Sequence, residues 1–370
     1  MKIGVYVGEG SSHSWVWLVD TLEKFGLIDI LFLNEKLVKK DTLNSINLMV
    51  ISGGDTISIA NSIGNGFKEI KNFIGDGGIY LGICAGAYLP LYSRKEPLSK
   101  FNLVKAGITN IIRSGGFKPF SCDRVFQGVR GPLYIDFQGK IISAPLYGGP
   151  SFVPNGSETL AIYSDFSEET SFLVEKNLAE RTILGKGAII KKDYGKGAFL
   201  LFGPHLEHPS FHDANLIFYH LLKGLKIKEI RDQEEKDFTH LLRGVEAKKF
   251  LKDLKREISN MRIIAMGIEG SIKWKVGHKV WDMERILYFT DATWKRLRYL
   301  EKDTLYVKNP DKIVEEVKET KNLLIKIREE LREGKDIRES AENLVRKMRE
   351  VVPAILEFYF NNIKRNRGSS

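Results

Sequence analysis

Through the first 225 residues, short unbroken apolar runs alternate with stretches in which apolar positions recur every three to four residues. The runs "KIGVYVG", "IDILFL", "INLMVISGG" and "GGIYLGIC" have the length and continuity of buried strands. Between them, Ser11 to Phe25 (ended by Gly26) and residues 57 to 75 carry helical spacing. Strands alternating with helices predict an α/β domain, a mostly parallel sheet with helices on both faces. After residue 105 the pattern turns to hairpins: "PLYIDFQGKIISAP", "TLAIYSDF" and "GAIIKKDYGKGAFLLFGP", the last ending in a central strand. "HDANLIFYHLLKGL" then reads as a closing helix.

From about residue 231 the texture changes. Charged helical stretches dominate, and residues 311 to 360 keep apolar positions at helical spacing, with breaks expected at Gly334 and Pro353. The expected domains are therefore 1–228, α/β, and 229–370, a charged all-α domain of open role. A chain of 370 residues exceeds one ordinary core, which agrees with two domains. The net charge of +10 falls unevenly, with 32 Lys/Arg against 25 Asp/Glu from Arg231 onward. That imbalance suits either an anionic partner or a solvated helical surface, and the second weighs more. The aromatic and basic stretch 273–300, with Trp274, Trp281 and Trp294, likewise reads more readily as helix packing with snorkelling stems than as a single-strand nucleic-acid face.

Two cysteines, Cys84 and Cys122, exclude a disulfide framework and suit a reducing compartment; a cytoplasmic protein is expected. The opening residues lack a signal-peptide pattern, and no run approaches the roughly 20 apolar residues of a membrane span. Two cysteines and seven scattered histidines lack zinc-ligand spacing, and there is no phosphate-binding G-x-x-x-x-G-K-[ST] loop. No metal and no cofactor are expected.

In open parallel sheets, ligands bind beyond the carboxyl ends of the strands. Here "GEGSSHS", "SGGDT", "CAGAY" and "GPHLEHP" follow apolar runs and converge on one edge if those runs are strands. A thiol nucleophile needs a base, and the base needs an orienting group. Cys84, His205 and Glu207 supply these types, and a helix starting after Cys84 would lower the thiol pKa through its dipole. Amides of Ala85 and of Gly53 or Gly54 are placed to meet a developing oxyanion. His208 competes with His205 as base. Ser11 or Ser12 reads as a cap for the first helix, Asp55 as a cap for the next, and Cys122 as a structural thiol.

These motifs carry a resemblance. "GICAGAY" resembles the nucleophile elbow of class I glutamine amidotransferase-like proteins, "HLE" their His-x-Glu pair, and "SGGDT" their oxyanion turn. Together with "YGGPSF", they most resemble the amidotransferase-like domain at the N-terminus of some biotin–protein ligases, over residues 1 to 225. The resemblance implies a flavodoxin-like fold with catalytic Cys84, His205 and Glu207, the order favouring His205 over His208. It implies oxyanion donors Gly54 and Ala85 and a pocket loop at Tyr147, Gly148 and Gly149; Gly53, Asp55 and His13, in the loops that follow the apolar runs, are further candidates for the substrate pocket. Residues that hold glutamine in true glutaminases have no evident counterpart, and the biotin ligase catalytic domain is absent. The expected activity is a cysteine-dependent hydrolysis of a small amide through a thioester, with an ammonia-accepting synthase or a second copy as partner. The alternatives are a silent binding module with the same fold and a nucleic-acid-associated protein acting through the basic helices.

Overall fold

The apolar runs become strands because both of their faces are covered, so every residue of them can be apolar. In the computed structural model, which describes residues 1–113, 125–126, 128–230, 240–268, 270 and 272–367, Ile3–Tyr6, Leu48–Ile51 and Ile79–Ile83 are buried throughout and pair in parallel. Gly197–Phe202 adds a fourth parallel strand beside Ile79–Ile83, with Ala198 opposite Ile79 and Phe202 opposite Ile83. Beyond it the sheet turns antiparallel, through Gly187–Tyr194, Glu158–Phe166, Val129–Phe137 and Lys140–Leu146. The expected parallel sheet is thus its central part, extended by the hairpins read from the second stretch. In register, Val5 faces Val50, Ile51 faces Gly82, and Gly82 faces Leu201, so the carboxyl ends lie level. The loops that follow these strands therefore meet at one edge.

Two helix boundaries differ from the sequence reading. The first helix is Ser14–Lys24 and starts three residues late, because the backbone before it is already engaged: Ser12 N–H donates to Gly53 O at 3.0 Å and Asp55 N–H to Gly10 O at 2.8 Å. Its N-cap is His13, with no side-chain cap, so neither Ser11 nor Ser12 plays that role. The stretch 57–75 is two helices, Thr56–Ile63 and Gly66–Gly75, divided at Gly64, whose φ of +48° cannot continue a right-handed helix.

The chain divides into two units, Met1–Leu27 with Leu33–Arg231, and Ile28–Phe32 with Asp232–Ser370. Four long helices dominate the second: Gly244–Gly267, Met283–Leu297, Pro310–Arg332 and Arg338–Arg367. Two short antiparallel ribbons join them, His240–Arg243 with Thr304–Val307 and Lys273–Val276 with Lys279–Asp282, so the region is not purely α. Gly334 (φ +67°) separates the last two helices as expected. Pro353 does not break its helix. Val351, Val352, Ile355 and Leu356 around it are all buried, and that packing offsets the one backbone bond proline removes. Trp274 and Trp281 face each other across the ribbon, both buried, and Trp281 stacks on Phe289 at 6.2 Å. These aromatics are core, as the packing reading expects. Among the described residues no helix is long and apolar enough to cross a membrane.

Candidate functional site

Cys84 ends the strand Ile79–Ile83 in a conformation that few residues adopt, with φ 52° and ψ −107°. Its N–H is tied to Phe202 O at 2.9 Å, and the chain turns at once into Ala85–Tyr88. A side chain with positive φ costs about 1–3 kcal/mol and persists only where the surroundings hold it. Two glycines do so here. A Cβ at Gly82 would lie 2.5 Å from Gly86 O, and one at Gly86 would lie 1.9 Å from Ile51 O. The pattern Gly82-x-Cys84-x-Gly86 thus lets strand and turn pack backbone to backbone, with Cys84 at the sharp bend between them. The helix expected to lower the thiol pKa is a single turn of four residues. Its aligned dipole is correspondingly small, and the local N–H groups matter more.

His205 and Glu207 follow the neighbouring strand Gly197–Phe202. His205 Nδ1 meets Glu207 Oε1 at 2.7 Å, and the ring also hydrogen-bonds to Cys84, for which Nε2 remains. His205 is 2% exposed and Glu207 0%. Burial pulls the imidazole pKa down, but the charges of Glu207 and Cys84 and the hydrogen bonds to both outweigh it and raise it to about 10. His208 behaves in the opposite way. Burial and the charge of His205 lower its pKa to about 4 against the pull of Glu207, and its Nδ1 accepts the Ser210 N–H at 3.2 Å. His205 is therefore the histidine joined to both thiol and carboxylate.

The glycine turn lies across from the thiol. A Cβ at Gly53 would sit 2.7 Å from Ser14 Oγ and 3.0 Å from His205 Cε1, so only glycine lets the ring lie there without displacement. Gly54 packs on Gly10 O, where a Cβ would come within 2.3 Å. The amides of Gly54 and Ala85 have no hydrogen-bond acceptor among the described residues. Asp55 is committed elsewhere. Its carboxylate caps Thr56–Ile63, accepting from Ile57 N at 3.1 Å, Ser58 N at 3.4 Å and Ser58 Oγ at 2.8 Å. The capping reading of Asp55 is the one the geometry bears out.

The loop 147–149 reaches the same place. Tyr147 lies 5.9 Å from the His205 ring, and Tyr88, at the end of the turn after Cys84, donates to Gly148 O at 3.1 Å. Asn110 donates to Tyr88 Oη at 2.9 Å and to Gly149 O at 2.8 Å, and Gly149 packs so closely that a Cβ would fall 1.8 Å from Gly203 O. His13 and His205 both pack against Trp17. His13 meets that ring edge-on at 4.7 Å, and Trp17 meets His205 edge-on at 5.6 Å and His208 at 4.3 Å.

Several contributors were given no role by the sequence: Ser52, the first residue of "SGGDT", whose Oγ donates to Glu207 Oε1 at 3.2 Å; Thr21, which donates to Glu207 O at 2.8 Å; and Asn215, whose Nδ2 donates to the carbonyls of Leu206 and His208. Only Ser52 had a signal, its place before the glycine pair. Cys122 lies outside the described residues. Among the described residues no group of three or more His, Cys, Asp or Glu side chains is arranged to hold a metal ion.

Residues 1–95 match the family model described as "Biotin-protein ligase, N terminal". The resemblance carried by "GGDT" and "GICAGAYL" falls within that stretch, and the match supports an amidotransferase-like fold there. An uncharacterised protein of Chlamydia muridarum (strain MoPn / Nigg) is 27% identical over 227 residues, covering 57% of this chain and 82% of the relative. Among solved structures, a cytoplasmic protein of Salmonella typhimurium LT2 is 17% identical, covering 61% of this chain and 100% of that one, with a TM-score of 0.38. A beta-galactosidase from the haloarchaeon Halorubrum lacusprofundi is 10% identical, covering 65% of this chain, with a TM-score of 0.33. The present chain spans 32% of that galactosidase, about a third of its length.

Proposed function

We propose that this protein is a cysteine-dependent amide hydrolase of the amidotransferase-like kind, acting on a small amide through a thioester. The observation that carries the reading is the left-handed backbone of Cys84 joined to a buried His205–Glu207 pair. A strained elbow is retained where the thiol must project, and a buried carboxylate behind an imidazole orients it and stabilises its charge. Cys84, as thiolate beside the His205 imidazolium, attacks the amide carbonyl carbon. The oxygen takes up the charge toward the Gly54 and Ala85 amides. As the C–N bond breaks, His205 gives its proton to the departing amine, leaving the acyl group on sulfur. A water then loses its proton to His205 and attacks the thioester. The acid departs, and the thiolate and imidazolium are restored.

A second reading has one observation behind it. Cys84 is 8% exposed and His205 2%, a degree of closure that also suits a pocket that holds a ligand without turnover. One experiment separates the two. Cys84 is alkylated with iodoacetamide across pH and read by mass spectrometry in wild type and His205→Ala, with Cys122 as internal control. Fast labelling of Cys84 below pH 7 that disappears without His205 supports the hydrolase, and release of amine from a panel of small amides then names the substrate. Labelling no faster than Cys122 and indifferent to the substitution overturns it in favour of the binding module.

A further inference from the structure

The carboxylate behind His205 meets a hydroxyl to which the "SGGDT" motif assigned no role, that of Ser52. Glu207 is fully buried; its Oε1 receives His205 Nδ1 at 2.7 Å and Ser52 Oγ at 3.2 Å, while Oε2 has no hydrogen-bond partner among the described residues. A buried carboxylate stays charged only as far as donors replace water. Beside the imidazole, the side-chain donor that reaches it is Ser52.

Ser52 does not stand alone. Its one hydroxyl proton has two acceptors in reach, Glu207 Oε1 and Ser14 Oγ at 3.1 Å. Ser14 lies 3.1 Å from Ser12 Oγ, and Ser12 donates to Gly53 O at 3.0 Å. All three serines are buried. The row thus runs from the acid to the glycine turn that bears one oxyanion donor. The Ser52 carbonyl meanwhile accepts the Gly86 N–H at 3.2 Å, directly behind the elbow. One residue therefore touches the acid, the nucleophile's turn and, through two neighbours, the oxyanion turn.

We infer that Ser52 is a positioning residue whose hydroxyl holds the Glu207 carboxylate aimed at His205 while its carbonyl pins the turn that bears Cys84. The inference rests on the thioester reading above. Without Oγ, Glu207 keeps one side-chain donor, supports the imidazolium less, and so supports the thiolate less. The carbonyl bond to Gly86 is untouched by a side-chain change, so the two roles separate experimentally.

The test is the pH dependence of Cys84 alkylation, with kcat and KM on an amide that the wild type cleaves, in wild type, Ser52→Ala, Ser52→Cys and Ser14→Ala. Loss of a hydrogen bond to a charged group should raise the thiolate limb of Ser52→Ala by about one pH unit and lower kcat roughly tenfold, leaving KM in place. Ser52→Cys, similar in volume but a weaker donor, should shift the limb the same way by less. Ser14→Ala removes the competing acceptor and the contact with Ser12 Oγ but keeps the Ser52 donor on Glu207, and it should leave the limb where it is. An unmoved limb in Ser52→Ala overturns the inference. So do equal shifts in Ser52→Ala and Ser14→Ala, which would mean general loosening. If Ser52→Ala does not fold, an unmoved limb in Ser52→Cys overturns it equally. Should the wild type itself lack a thiolate limb below that of a simple thiol, the thioester reading fails first and this inference falls with it.

Discussion

Replacing Gly86 by alanine tests the elbow most directly, because the clash it creates is with the Ile51 backbone and its Cβ, none of which can swing aside as a flexible side chain would. The new Cβ would stand 1.9 Å from the Ile51 carbonyl oxygen and 2.7 Å from its carbon. Ordinary carbon–oxygen contacts lie at about 3.3 Å or beyond, so the two segments must part by roughly 1.4 Å. Neither is free to move. Ile51 is 1% exposed and sits opposite Gly82 in the parallel ladder, and Gly86 N–H is bonded to Ser52 O. Overpacking in a core typically costs 1–3 kcal/mol, and a clash without a flexible side chain belongs at the upper end, about 3 kcal/mol. For a unit of this size that lowers Tm by about 6–12 °C. The assay is thermal unfolding by calorimetry or circular dichroism, with Cys84 alkylation measured in parallel; rapid labelling should be lost even below the transition. Gly224→Ala serves as control, because its Cβ would meet only carbonyl oxygens at 3.6 and 3.7 Å and its φ is −76°. Its stability should stay within about 0.5 kcal/mol of wild type. If Gly86→Ala melts within about 1 °C of wild type and Cys84 still labels fast, the reasoning about the elbow is refuted.

Two further outcomes follow from the same geometry. The His205 pKa is raised to about 10, so its contribution to stability is full below about 6.5 and fades as pH climbs toward 10; the His208 pKa is lowered to about 4, so it remains neutral in the fold and stability falls as pH drops from about 6.5 toward 4. Denaturant titrations at pH 5, 7 and 9 should show His208→Gln losing less stability than wild type between pH 7 and 5, and parallel curves would contradict this. In the second unit, Trp281→Ala should cost about 3–5 kcal/mol through the cavity left beside Phe289, read as a lower unfolding midpoint; an unchanged midpoint would remove Trp281 from the core.

The apolar runs made the strands legible, since a strand covered on both faces must be apolar throughout and its neighbours in sequence cannot hide that. The end of each run then marked where Cys84, the Gly53–Gly54 turn and the His205-x-Glu207 pair would emerge. Boundaries were less legible. The start of the first helix was decided by backbone bonds from Ser12 and Asp55 to partners far along the chain or across the turn, and Pro353 survived inside a helix because of packing that no local propensity records. The roles that the sequence did not assign are those whose partners lie remote along the chain: Ser52 meets Glu207 across 155 positions, and Thr21 meets it across 186.

The alternation of elements and the residue types available for a thiol, a base and an acid could therefore be read along the chain. The order of the motifs already favoured His205 over His208, and Asp55 already read as a cap; the row of serine hydroxyls that reaches the acid, and the start of the first helix at Ser14, became visible only in the folded chain. Periodicity is a property of neighbouring positions and can be read along the chain. A hydrogen bond such as that from Ser52 Oγ to Glu207 Oε1 at 3.2 Å joins positions 155 apart, and it forms only once the sheet has brought the ends of their strands together.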